Sequence, residues 1–374
     1  MDRRQGWVIG RIAGAPVKLQ PSALIMVVVL TILFVPTVRS MNPALGSQAI
    51  AGSLVLVVML MVSVFLHEVA HALAAKSQGM TVHELALTFW GGHTAYSDAH
   101  TTPLNAAFIA VVGPLTNLIL AAAAWFGYQS QPATSSLALM LYVSAFANAA
   151  VAVFNLLPGL PLDGGQIAES VVWALTGSRL RGTVAAAWSG RILAVGLVVA
   201  AIAVPTLRGE QVQLLMVVWA GLIGSFMWSA ATGALAQSRT RARIEALDPR
   251  RLAAPAVAVD VETTVAQVRE ITRSTQLGGI PAQVVLVDHA QAVGYVDDAA
   301  LAAVPDDAAA ATQAWSVMVA LPPGSVVDGG LRGAAFHAAA VQASRRSPVF
   351  VVVDSGRVVG LLRAADVARA VHLD

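Results

Sequence analysis

The chain contains no cysteine, which excludes disulfides, thiolate metal sites and cysteine nucleophiles; any metal must be held by His, Asp or Glu. Charge is scarce as well, with 12% of the 374 residues Asp, Glu, Lys or Arg, and aromatics make up only 6%. The net charge is +2 and no Lys/Arg cluster is interleaved with aromatics, so no nucleic-acid partner is expected. What remains is apolar. At 57% hydrophobic residues and a mean hydropathy of +0.70, the composition is that of a membrane protein with room for two or three domains. Residues 1–22 are basic but too long and polar to precede a signal sequence, and the next apolar run lacks a small-residue cleavage site, so that run reads as a retained span.

Six apolar runs are long enough to cross a hydrocarbon core of about 30 Å. They are Ala23 to Val38, Ile50 to Ala75, Leu104 to Phe126, Leu137 to Leu157, Val184 to Val204 and Val212 to Leu235, the first short and ending near Pro36. Arg3, Arg4, Arg11, Lys18, Lys76, Arg179 and Arg181 fall on one side, against Arg39, Arg208 and Glu210 on the other. The positive-inside rule then makes both termini cytoplasmic. Arg191, about two turns into the fifth run, reads as snorkelling to the cytoplasmic interface.

The second run contains His67-Glu68-Val69-Ala70-His71. Residues four apart share a helix face, so His67 and His71 can present two imidazoles to one ion with Glu68 beside them. Three ionisable groups within five residues at membrane depth cost about 2 to 3 kcal/mol per charge, so they rarely persist without a role. After this run, MTVHELALTFWGGHTAYSDAH alternates apolar and polar residues about Gly91-Gly92, which predicts two short strands around a glycine turn. Both a surface hairpin and a hairpin dipping back beside the ionisable cluster fit this pattern. The third run carries Gly113-Pro114-Leu115-Thr116-Asn117, whose glycine close helix packing explains by itself. The fourth holds Asn148 and ends in Asn155-Leu156-Leu157-Pro158-Gly159-Leu160-Pro161-Leu162-Asp163-Gly164-Gly165, a broken helix end around one carboxylate. A loop Asp near glycines is usually turn chemistry. Two imidazoles, however, leave a catalytic zinc one protein ligand short, and Asp163 is the acid in the most specialised backbone of the chain.

Beyond Leu235 a polar, arginine-rich stretch leads into a tail with a weak internal repeat. Val284-Val285-Leu286-Val287-Asp288 with Ala292 to Val296 is echoed, about 65 residues on, by Val349 to Asp354 with Val358 to Leu362. Helical segments flank each copy, so the expected domains are 1–236 in the membrane, a linker 237–252, and α/β modules at 253–311 and 312–374.

The combination of HEVAH, GPLTN and NLLPGLPLDGG resembles the site-2 protease family of intramembrane zinc metalloproteases, and the tail is similar to a CBS pair, as in the bacterial branch of that family. The resemblance implies a polytopic α-helical membrane domain of about six transmembrane helices with a re-entrant β-hairpin, followed by a soluble α/β CBS pair. It implies one Zn2+ per chain on His67, His71 and Asp163, with Glu68 as catalytic acid/base. Asn155 matches a polar residue at the substrate site, and Gly91 and Gly92 would line the cleft. The implied activity is regulated intramembrane proteolysis by metal-activated water, in a multi-pass protein of the bacterial cell membrane with cytoplasmic termini. The implied partners are the lipid bilayer and a transmembrane protein substrate, a membrane-anchored regulator such as an anti-sigma factor.

Gln166 stands where many relatives have Arg. In the tail, Gly294 is followed by Asp297 and Ala300, and Gly360 by Arg363 and Asp366, so only Asp366 keeps a position of the CBS nucleotide pattern. Weak or no nucleotide binding is expected, with homodimerisation through the pair instead. A membrane transporter or metal-binding scaffold regulated by the tail is the alternative class; it differs in not needing Glu68 as a base. His83, His93, His100, His289, His337 and His372 read as surface or packing residues.

Overall fold

The computed structural model describes residues 6–41, 43–89, 91–97, 101–132, 135–277 and 280–372. Arg3, Arg4 and His100 lie outside the described residues. The chain divides into two compact units, Met1–Ala236 and Gln237–Asp374.

The first unit begins with strands β1 (Trp7–Ile12) and β2 (Ala15–Leu19), then helices α1 (Pro21–Met41) and α2 (Ala49–Ser77). Strands β3 (Val82–Thr88) and β4 (Gly91–Tyr96) follow, then α3 (Pro103–Gln129), α4 (Ser136–Asn155), α5 (Asp163–Thr176), α6 (Arg179–Leu207) and α7 (Leu214–Glu245). Six of these helices, α1, α2, α3, α4, α6 and α7, are long and apolar enough to cross a membrane. Helix α1 runs through Pro36 to Met41 rather than ending at the proline; a mid-span proline is tolerated where neighbours satisfy the freed carbonyl. At 14 residues α5 is too short to cross. Hydroxyl caps start the helices that re-enter: Thr102 for α3, Ser135 for α4 and Ser178 for α6 each accept a backbone N–H from the first turn. Gly177, at φ 68°, closes α5 in the left-handed conformation that glycine adopts without steric cost.

The strands form one sheet in the order β1-β2-β3-β4, with β2 parallel to β3 and the other pairs antiparallel. The hairpin expected between the second and third runs is therefore half of a four-stranded sheet. Its glycines do not form the turn. Gly91 and Gly92 open β4, paired with Thr88 and Leu87. The sheet packs on α2 through Ala15, Val17, Leu85, Ala72 and Ala75, joined by Ile109 of α3. Small residues at these contacts let backbones approach, which is how helices associate where lipid is as apolar as the side chains.

In the second unit α8 (Pro249–Leu252) precedes two copies of one pattern. The first comprises β5 (Ala254–Asp260), α9 (Val265–Ser274), a small ladder of β6 (Gln276–Leu277) and β7 (Ile280–Pro281), β8 (Gln283–Asp288), β9 (Gln291–Val296) and α10 (Asp298–Ala303). Strand β10 (Met318–Ala320) then leads to β11 (Val326–Asp328), α11 (Gly333–Ser344), β12 (Val349–Asp354), β13 (Arg357–Arg363) and α12 (Ala364–His372). Each copy is β-α-β-β-α, the order expected of the modules that the tail resembles. Its strands join in one seven-stranded sheet, β10-β9-β8-β5-β13-β12-β11. Valines from both copies, Val285 and Val351 among them, meet in a shared apolar cluster. The polar stretch after Leu235 is helical as far as Glu245.

Candidate metal centre

Helix α2 supplies His67, Glu68 and His71, all buried at 6 to 8% exposure despite their charge-bearing side chains. The i,i+4 spacing stacks the two imidazoles edge to face, with ring centroids 4.7 Å apart and Nε2 atoms 3.1 Å apart. Each ring is turned by its other nitrogen. His67 Nδ1 lies 2.6 Å from Asn117 Oδ1, and His71 Nδ1 lies 2.7 Å from the Ile109 carbonyl. A carbonyl oxygen has no proton to give, so each Nδ1 is the donor and each Nε2 is left with a bare lone pair.

The sense of the Asn117 amide is itself determined. Its Nδ2 donates to Asn148 Oδ1 at 3.0 Å, and Asn148 Nδ2 donates to the Ser144 carbonyl at 2.9 Å. That backbone acceptor fixes which way Asn148 faces, hence which way Asn117 faces, hence the tautomer of His67. The relay crosses α4, α3 and α2.

Asp163 arrives from the opposite direction. In the segment between α4 and α5 the Gly159 N–H donates to the Leu157 carbonyl and the Leu162 N–H to the Gly159 carbonyl, with a cis Leu160–Pro161 bond, and Asp163 opens α5. The broken backbone anticipated at this point is thus a tight turn into a short helix. Asp163 Oδ2 lies 3.1 Å from His67 Nε2 and 3.5 Å from His71 Nε2, and it is buried with no hydrogen-bond partner. His67, His71 and Asp163 form the group of metal-capable side chains found among the described residues.

Three lone-pair atoms therefore converge, buried, with no proton assigned between them. Left so, they repel one another and forgo hydration. A cation at their centre removes both penalties. Zinc bonds of about 2.0 to 2.2 Å in a tetrahedron place ligand atoms roughly 3.3 to 3.5 Å apart. The observed separations of 3.1, 3.1 and 3.5 Å come within about 0.2 Å of that spacing.

Two glycines shape the space around this centre. A Cβ on Gly113 of α3 would stand 2.3 Å from His71 Nε2 and 2.6 Å from His67 Nε2, inside the region the ion needs. Helix packing alone, the sequence-based expectation for Gly113, is thus incomplete: the glycine faces the imidazoles. A Cβ on Gly92 of β4 would stand 2.3 Å from Glu68 Cγ. The strand beginning at Gly91-Gly92 accordingly runs against Glu68, and Thr94 Oγ1 lies 2.8 Å from Glu68 Oε2. Strand β4 is the last strand of its sheet.

Asn155 is the last residue of α4, half-buried, and no hydrogen bond joins it to the His67-His71-Asp163 group among the described residues. Asn117 and Thr94 are the site residues to which the sequence assigned no role. Only the polarity of Asn117 and Asn148 at membrane depth pointed towards them.

Comparison with known proteins agrees with this geometry. The model of peptidase family M50 matches residues 55–132 and 128–200, which span the HEVAH helix and Asp163. The chain is 26% identical over 367 residues to "Putative zinc metalloprotease sll0528" of Synechocystis, covering 97% of this chain and 95% of that one. It is 33% identical over 234 residues to "Putative zinc metalloprotease Rip3" of Mycobacterium tuberculosis, covering 60% of this chain and 57% of Rip3. Among solved structures, the site-2 protease from Methanocaldococcus jannaschii aligns over 62% of this chain and 95% of its own at 24% identity, with a TM-score of 0.44. Matched in sequence through the segments that bring two imidazoles, a carboxylate and a neighbouring glutamate together within a multi-pass helical unit, this chain is a zinc metalloprotease that over residues 55–200 is similar to the site-2 protease family.

Proposed function

We propose that the chain cleaves the transmembrane segments of single-pass membrane proteins, with one zinc held by His67, His71 and Asp163. The observation that carries this reading is the set of three converging, proton-free donor atoms with Glu68 one residue from His67. Bound zinc supplies Lewis acidity, lowering the pKa of water towards about 7 and polarising a peptide carbonyl.

Glu68 is the proton carrier. The Thr94 hydroxyl and the close backbone at Gly92 hold its carboxylate in one place. It takes the proton from the attacking water and returns it to the amide nitrogen as the C–N bond breaks, so the protein ends each turnover unchanged. A helical substrate has its amides paired internally and must unwind to be cut. Strand β4, last of its sheet, passes Glu68 at Gly92, and this position supports strand addition by the extended form with Gly91 and Gly92 at the cleft. Asn155 is assigned to the substrate side, as a donor to its backbone. Both termini and the CBS pair are assigned to the cytoplasm of a bacterial cell, and the pair to homodimer contacts. The substrate class is a membrane-anchored regulator.

Co-expression with candidate single-pass regulators tests the assignment. Wild type yields a shortened fragment. Glu68→Gln keeps size and zinc but loses the base, so the fragment falls by a factor of about 10² or more. Undiminished cleavage by Glu68→Gln, or loss of its zinc, removes Glu68 from the proposed role.

A further inference from the structure

Arg191 is a cation that the metal centre does not use. Its Nη2 donates to Thr232 Oγ1 of α7 at 3.0 Å, while the rings of Trp188 and Trp228 lie 4.9 and 5.1 Å from its Cζ. Its Nε is buried without a partner, and no carboxylate pairs with it among the described residues. A guanidinium carries five N–H donors, so most of its capacity is unspent. Trp188 is 53% exposed and Trp228 45%, so the two rings open sideways, away from the helix core.

The depth of this group follows from two separate counts. Residues 208–213 join α6 to α7 and mark one membrane surface. A hydrocarbon core of about 30 Å takes about 20 helical residues. Counting 20 residues back from Leu207 reaches Trp188, and counting 20 forward from Leu214 reaches Gly233. Arg191, Trp188, Trp228 and Thr232 therefore all lie within about a turn and a half of the opposite hydrocarbon boundary. Tryptophan favours that level, and α6 beyond it carries Arg179 and Arg181.

A cation at this boundary with no carboxylate partner meets one abundant anion, the phosphate diester of a lipid. The planar fork of arginine matches two phosphate oxygens, and flanking indoles hold the guanidinium plane while shielding it from water. We propose that Arg191, held between Trp188 and Trp228, binds the headgroup phosphate of an anionic phospholipid in the leaflet on the Arg179 side. The same stretch of α6 grips the turn that delivers Asp163: the Ser189 hydroxyl donates to the Pro158 carbonyl, and Leu160 N–H donates to the Ala186 carbonyl at 3.0 Å. A headgroup on Arg191 thus braces the segment on which Asp163 rides.

Native mass spectrometry of the full chain in a nonionic detergent, titrated with phosphatidylglycerol or phosphatidylcholine, tests this. Wild type retains phosphatidylglycerol in preference to phosphatidylcholine. Arg191→Gln weakens phosphatidylglycerol binding about tenfold, and a Trp188→Leu/Trp228→Leu chain, which keeps the charge, weakens it as well. Millimolar inorganic phosphate leaves the bound lipid in place. Either variant binding phosphatidylglycerol as wild type does would overturn the proposal. So would displacement of the lipid by inorganic phosphate, which would make this a site for a soluble anion.

Discussion

Replacing Asn117 with leucine removes one acceptor and one donor from the relay that sets the tautomer of His67. His67 Nδ1 then loses its 2.6 Å contact, and Asn148 Oδ1 loses its 3.0 Å donor, both in a place where Asn117 is 0% exposed and water does not substitute. Each orphaned buried group costs about 1 to 3 kcal/mol of fold stability. The effect on the metal is separate, because an untethered imidazole can turn, or carry its proton on Nε2 where a ligand lone pair is needed. Losing such a partner typically weakens metal binding by about 10- to 100-fold. Asn117→Asp discriminates between the two costs: it keeps the acceptor for His67 but sets a carboxylate against Asn148 Oδ1, so stability falls while zinc binding does not. The assay is chelator competition for zinc on the full chain in detergent, with thermal melting alongside. If Asn117→Leu binds zinc within about threefold of wild type, the tautomer argument is refuted, whatever happens to the melting temperature.

Three further outcomes are expected. Gly113→Ala puts a Cβ 2.3 Å from His71 Nε2, so its zinc content drops sharply while helix content by circular dichroism stays near wild type. Thr94→Val takes the hydroxyl from Glu68, so cleavage slows by about tenfold with zinc content unchanged, as metal analysis and kinetics on one preparation will show. The third concerns acid. Lys18 Nζ lies 2.5 Å from Glu84 Oε2 and, with a smaller contribution from His93, holds the Glu84 carboxyl below its ordinary value. A depressed pKa means stabilisation that is complete above the ordinary carboxylate range and lost as pH falls through the folded value. Melting temperature should therefore decline into acid more steeply for wild type than for Lys18→Met, and parallel profiles would contradict it.

The convergence of His67 and His71 on one face of α2 was legible because a helix has a fixed period: a spacing of four between histidines is already a statement about geometry. Asp163 stood out for the opposite reason, since two prolines and three glycines around one acid mark the broken end of α4, although Gly164 and Gly165 belong to α5. Gly113 was read only in part, as a packing residue, because a sequence gives the spacing along its own helix, not what the facing helix presents. That Asn117 turns His67 depends on Asn148 and a backbone carbonyl of α4, a three-helix relation with no local trace. The β1 and β2 strands went unseen, as did the first strand of each α/β module; β2 and β5 draw partners from distant sequence, β2 from β3 and β5 from β8. The Gly91-Gly92 turn was placed two residues late for a related reason: glycine marks both turns and places where another side chain comes close, and here Glu68 is that neighbour.

The turn that brings Asp163 to the histidines has a consequence for biosynthesis. His71 and Asp163 are 92 residues apart (163 − 71), and α3 and α4 are made between them. At about 5 to 20 residues per second that interval is roughly 5 to 20 s. During it the two imidazoles exist without their third partner, and two nitrogen ligands hold zinc poorly. A metal centre on these three side chains is therefore complete only after four of the apolar helices have been synthesised.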